Sequence, residues 1–176
     1  NGVRQKQAPA FKMKELKTIL QGIDTTTNSG LRDKCLLLVG FAGAYRRSEL
    51  VSLNIEDVQF NDDGVIISLS KSKTNQYGET EEKALFYSPL ADFCPIRNLK
   101  QWIERLKRPT GPLFIRVRKG DKITQKRLND MTVYETVKKS MGERYSAHSL
   151  RASFITIAKI NGADDSEIMR QSKHKT

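Results

Sequence analysis

The sequence is poor in cysteine and histidine. Its 176 residues hold two of each: Cys35 and Cys94, His148 and His174. Two distant thiols exclude a disulfide framework, and a reducing, cytoplasmic compartment is the default expectation. Cys35 lies in the apolar run CLLLVGFAG and reads as a buried thiol. Two histidines 26 positions apart have no zinc-type ligand spacing, and no Walker-type glycine-rich loop occurs. Neither a metal nor any other cofactor is therefore expected. No apolar run approaches the roughly 20 residues of a membrane span. The opening NGVRQKQAPAFKMKEL lacks an apolar h-region, so it is not expected to act as a signal peptide.

Acidic residues are also in deficit, 20 against 31 Lys and Arg, for a net charge of +11. The excess is concentrated. Between Arg97 and Arg127 stand eleven basic residues and only two acidic ones, Glu104 and Asp121. Such a footprint suits a polyanion. An anionic membrane surface is disfavoured, because no basic helix also presents bulky apolar side chains.

Periodicity divides the chain. Residues 1–10 are polar and basic and read as a linker; 11–176 read as one domain. Helical spacing of Leu16, Ile19 and Leu20 predicts a helix over 12–22. A nearly all-apolar central helix is expected over Ser29–Ala44, then a short one over Ser48–Leu53. The period then changes. Asn54–Phe60 and Val65–Ser70 read as strands around the turn Asn61-Asp62-Asp63-Gly64, with a third strand at Glu82–Tyr87. The segment between the second and third strands, KSKTNQYGETE, reads as a polar loop at the sheet edge. Helices are expected again at Pro95–Leu106, Thr124–Met141, Ser146–Ile160 and Asp164–Gln171. The predicted class is α+β, mostly helical, with a small three-stranded antiparallel sheet inserted early.

Four places could carry chemistry. His148 and Arg151 are spaced to share one face of a helix that Ser146 can cap, where the dipole favours an anion. A guanidinium grips phosphate in bidentate fashion, and an imidazole donates to it or moves a proton. Arg46 and Arg47 follow the buried helix, with Glu49 close enough in sequence to orient one of them. A capping salt bridge would account for the same residues. Lys73 lies in the loop between the second and third strands, where a lysine can reach over a ligand or simply guard a sheet edge. His174 follows the last expected helix.

In this order, the four features resemble the catalytic domain of the tyrosine recombinase (phage integrase) family, over nearly the whole chain. Arg46 in AYRRSEL matches the family's first arginine, with Glu49 at the usual acidic position; the spacing to Ser48-Glu49-Leu50 selects Arg46 over Arg47. Lys73 in SKSKT matches the hairpin lysine, His148 and Arg151 the H-x-x-R pair, and His174 the third-box histidine. Ser172-Lys173 stands where many relatives have Leu-Gly. The basic opening then resembles the linker from an N-terminal core-binding domain. The family's nucleophilic tyrosine would fall about nine residues beyond His174. None of Tyr45, Tyr77, Tyr87, Tyr134 and Tyr145 matches it, and Tyr145 reads as a packing residue.

The resemblance implies site-specific cutting and rejoining of double-stranded DNA through a 3′-phosphotyrosyl intermediate, without metal or ATP. Arg46 and Arg151 would stabilise charge on the phosphate, Lys73 would protonate the leaving 5′-oxygen, and His148 and His174 would assist. The chain as given is expected to be inactive and monomeric. The full-length protein is expected to form a tetramer on DNA in the cytoplasm, associated with the nucleoid. A non-catalytic DNA-binding relative and a type IB topoisomerase-like enzyme are the alternatives.

Overall fold

The computed structural model describes residues 13–69 and 80–143, together with Tyr145 and Ala152. Helix α1 (Met13–Gln21) leads into α2 (Asn28–Gly43), and α3 (Arg47–Ser52) follows within a few residues. One turn of 3-10 helix, Ile55–Asp57, opens the first sheet. Strands β1 (Val58–Phe60), β2 (Gly64–Leu69) and β3 (Glu81–Phe86) form it in the order β1-β2-β3, antiparallel throughout. After a second 3-10 turn come α4 (Pro95–Leu106), the hairpin β4 (Ile115–Arg118) and β5 (Lys122–Arg127), and α5 (Asp130–Met141). The α+β class and the small three-stranded sheet are thus as expected.

Helix α2 is central because it has almost no polar face: Cys35, Leu36, Leu37 and Val39 are all fully buried. Helix α4 packs on it with Ile96, Leu99 and Trp102. Its bounds agree with the sequence reading because Pro95 occupies the first turn, where a missing N–H costs nothing. The Trp102 indole donates to Leu113 O at 2.8 Å and draws the β4 approach onto the same core. Burial pushes the Cys35 thiol pKa far up, and Tyr145 is partly buried against the core, as read.

Two expectations fail. The strand anticipated over Asn54–Phe60 is regular only from Val58. Asp57 accepts from the Asn54 N–H at 2.8 Å and closes the 3-10 turn before it. The helix anticipated over Thr124–Met141 begins only at Asp130, where Asn129 caps it by accepting from Met131 N. Residues 122–127 form a strand instead. Ile115 pairs with Arg127 and Val117 with Ile123, around a turn in which Gly120 (φ 82°) and Asp121 (φ 59°) are both left-handed. The expected helices at 146–160 and 164–171 lie outside the described residues, except for Ala152, which is helical.

This second hairpin is fastened to the core at both ends. At its tip, the Asp121 carboxylate accepts from Asn28 N (2.7 Å) and Ser29 N (3.0 Å), the first free donors of α2. At its base, Arg127 donates to Val51 O and Leu53 O at the end of α3. The two backbone donors, Asn28 first and Ser29 next, hold the Asp121 pKa below the ordinary aspartate value. Its stabilisation is therefore complete above the unfolded value of about 3.9 and is lost as pH falls through the lower folded value. Asp121→Asn tolerates the left-handed backbone but removes the charge and one acceptor. It should lower Tm at pH 7, and the gap from wild type should close as pH falls through the lowered folded value. A gap that persists at acid pH would mean that turn geometry, not the carboxylate, makes the difference.

Candidate functional site

The junction between α2 and α3 is built to present one arginine. Helix α2 ends on Ala44 in the left-handed conformation (φ 50°), and Tyr45 N–H returns to Gly40 O at 3.1 Å. The Tyr45 ring then folds back on the last turn of α2. A Cβ at position 43 would lie 2.3 Å from that ring, which is why Gly43 stands there. Tyr45 is fully buried, and burial raises the pKa of its phenol strongly. Chain reversal over Ala44 and Tyr45 leaves Arg46 extended at the N-cap of α3.

A six-residue helix has no stability of its own and needs its ends tied. Glu49 supplies the tie by accepting from the Arg46 backbone N–H at 3.0 Å. Glu49 therefore fixes Arg46 through its main chain, not by pairing with either guanidinium. The two arginines then part. Arg47 turns to α5, 3.6 Å from Asp130 and 5.9 Å from the Tyr134 ring centre. Arg46 is half-buried, and among the described residues its guanidinium has no hydrogen-bonding or ionic partner. A guanidinium on a half-buried residue, with its fork unused by those neighbours, is a receptor for an oxyanion. Lys73, His148, Arg151 and His174 lie outside the described residues.

The basic segment divides in a way that charge counting alone missed. Arg105 donates to the carbonyls of Thr25, Thr26 and Thr27, Arg108 to those of Thr110 and Pro112, and Arg127 to α3. Lys100 donates to the Tyr87 hydroxyl. These four cations hold the chain together. Arg97, Lys107, Arg116, Arg118, Lys119, Lys122 and Lys126 are exposed, and most of them stand on the second hairpin. Arg116, Arg118, Val117, Thr124 and Lys126 line a groove of about 310 Å³ there. The alternation Ile-Arg-Val-Arg and the turn Lys-Gly-Asp were the sequence signals for this hairpin. Among the described residues, no cluster of three His, Cys, Asp or Glu side chains could hold a metal ion, and no helix is long and apolar enough to cross a membrane.

The phage integrase family model matches residues 10–176. The chain belongs to the phage integrase family. A relative from Selenomonas ruminantium, described as an integrase/recombinase XerD homolog, is 38% identical over 181 residues, covering 99% of this chain and 53% of that protein. Tyrosine recombinase XerC of Staphylococcus aureus is 25% identical over 92% of the chain and 51% of its own length. The chain thus spans about half the length of these relatives. Among solved structures, XerH site-specific recombinase bound to palindromic difH substrate, a post-cleavage complex, matches with TM-score 0.73 at 21% identity, over 97% of this chain and 48% of that one. A lambda integrase tetramer bound to a Holliday junction matches with TM-score 0.68 at 14% identity, over 99% and 49%. These likenesses give this phage integrase family member the recombinase catalytic-domain fold.

Proposed function

We propose that this chain is the catalytic domain of a site-specific DNA recombinase that cuts and rejoins strands through a 3′-phosphotyrosyl bond. One observation carries the reading: half-buried Arg46, at the α2–α3 junction of a phage integrase family domain, whose guanidinium has no partner among the described residues. Mere DNA binding needs surface cations. It does not need a half-buried arginine held by a dedicated cap.

A tyrosine from beyond His174 attacks phosphorus, and the bond to the 5′-oxygen breaks. Arg46 and Arg151 take up the charge that builds on the non-bridging oxygens. Lys73 gives its proton to the departing 5′-oxygen, while His148 assists removal of the tyrosine's proton and contacts the phosphate. His174 adds a phosphate hydrogen bond. A 5′-hydroxyl from another strand reverses these steps, so the phosphate bond energy is retained and no energy cofactor is needed. The exposed cations of the second hairpin hold duplex DNA by its phosphates. By analogy with the lambda integrase tetramer on a Holliday junction, the full-length protein works as a tetramer on DNA, in the cytoplasm and on the nucleoid. Residues 1–10 join this domain to a core-binding domain.

Nicked site DNA and a denaturing gel test the proposal. The full-length protein should form a covalent protein–DNA band, and residues 1–176 alone should bind DNA without one. Failure of the full-length protein to form the band would favour a non-catalytic binder. A band from residues 1–176 that maps to any resident tyrosine would overturn the assigned position of the nucleophile.

A further inference from the structure

A second lysine bears on the same site from inside the core. Lys83 lies on β3, paired with Ile67 of β2, and is only 3% exposed. It shares the inward face of its strand with Glu81 and Leu85. A buried ammonium is costly unless its donors are satisfied. Lys83 Nζ donates to Gly43 O and also reaches Ala44 O at 3.4 Å, and it sits 4.3 Å from the centre of the Tyr45 ring. Those three groups are the last turn of α2, its left-handed cap and the ring folded against it. They form the reversal that delivers Arg46. The carbonyls lie at the negative end of the α2 dipole, where a cation is favoured.

We infer that Lys83 is a positioning residue for Arg46: by bridging β3 to the last turn of α2, it holds the reversal that aims the guanidinium at the phosphate. The inference rests on the function proposed above. It assigns no proton transfer to Lys83, whose burial keeps it from DNA.

The test uses the full-length protein in single-turnover cleavage of nicked DNA, well below its Tm. Lys83→Met should slow cleavage by about tenfold or more, with DNA affinity within about twofold of wild type, because ground-state binding is spread over many other phosphates. The double variant Lys83→Met/Arg46→Ala should be no slower than Arg46→Ala alone, since the two act as one unit. DNA with a bridging 5′-sulfur needs no proton at the leaving group. It should rescue Lys73→Ala and leave Lys83→Met slow. If Lys83→Met does not fold, Lys83→Gln, which loses the charge and the reach of the ammonium but keeps two N–H donors, is read in the same way. Leu106→Ala, a core truncation on α4 remote from the junction, controls for lost stability and should cleave at the wild-type rate. A wild-type rate for Lys83→Met, additive losses in the double variant, or rescue by sulfur would each overturn the inference while leaving the proposed function standing. A wild-type rate for Arg46→Ala would remove both.

Discussion

Arg46→Ala is expected to slow DNA cleavage by at least about 10²-fold, the usual loss when one preorganised donor to a developing oxyanion is removed. The size follows from where the side chain sits. The residue is half-buried, so water screens it less than it would a fully exposed arginine. Among the described residues it has no partner to break away from when it binds a phosphate. Its backbone is held by Glu49 and by the left-handed turn at Ala44, so little reorganisation is needed as charge develops. Folding should survive, because the Arg46 N–H that Glu49 accepts is main chain and remains in the variant. Arg47→Ala supplies the contrast. It would lose an exposed ion pair with Asp130, a contact usually worth less than about 1 kcal/mol, and should cleave near the wild-type rate. Equal cleavage by Arg46→Ala and wild type on nicked DNA would remove Arg46 from the site. A severe loss in Arg47→Ala alone would shift the assignment by one residue.

The distinction between neighbouring arginines marks how far the sequence could be read. Spacing to Ser48-Glu49-Leu50 already singled out Arg46, and the apolar run already placed α2 at the centre. These are local signals, carried by residues a turn or less apart. The role of Glu49 was half legible. Its proximity to Arg46 was plain, but a carboxylate three residues on can accept from a backbone N–H as readily as pair with a guanidinium, and the capping geometry decides. Strand β5 was not legible from its own residues. Lys-Ile-Thr-Gln-Lys-Arg has one large apolar side chain, and the strand is held by pairing with β4 and by fasteners at Asp121 and Arg127. Lys83 was hidden for the same reason. Nothing near it in the chain signals burial, and the carbonyls it meets lie forty residues away.

Duplex DNA binding by residues 1–176 should weaken steeply with salt, with log affinity falling against log salt at a slope of about −4 or steeper if five or more phosphates are met. Between about 50 and 200 mM salt that slope is a loss of about 250-fold. Counting charges between Arg97 and Arg127 cannot say which residues supply the slope, but their partners can. Arg105 and Arg127 are bonded to backbone carbonyls, so Arg127→Gln should lower Tm through loss of the tie to α3 and leave the slope nearly unchanged. Arg116, Arg118 and Lys126 are exposed around the hairpin groove and have no such tasks among the described residues. Replacing these three together by glutamine should make the slope shallower by about 3, at roughly 0.9 per phosphate contact, with Tm little changed. Fluorescence anisotropy at several salt concentrations reads both sets. The hairpin is bolted to α2 by Asp121 and to α3 by Arg127, and Arg46 lies between those two helices. Phosphates held along the hairpin would therefore be in fixed register with the one at Arg46. A flat titration, or a slope that follows Arg127 and ignores the three hairpin cations, would remove the hairpin from the DNA interface.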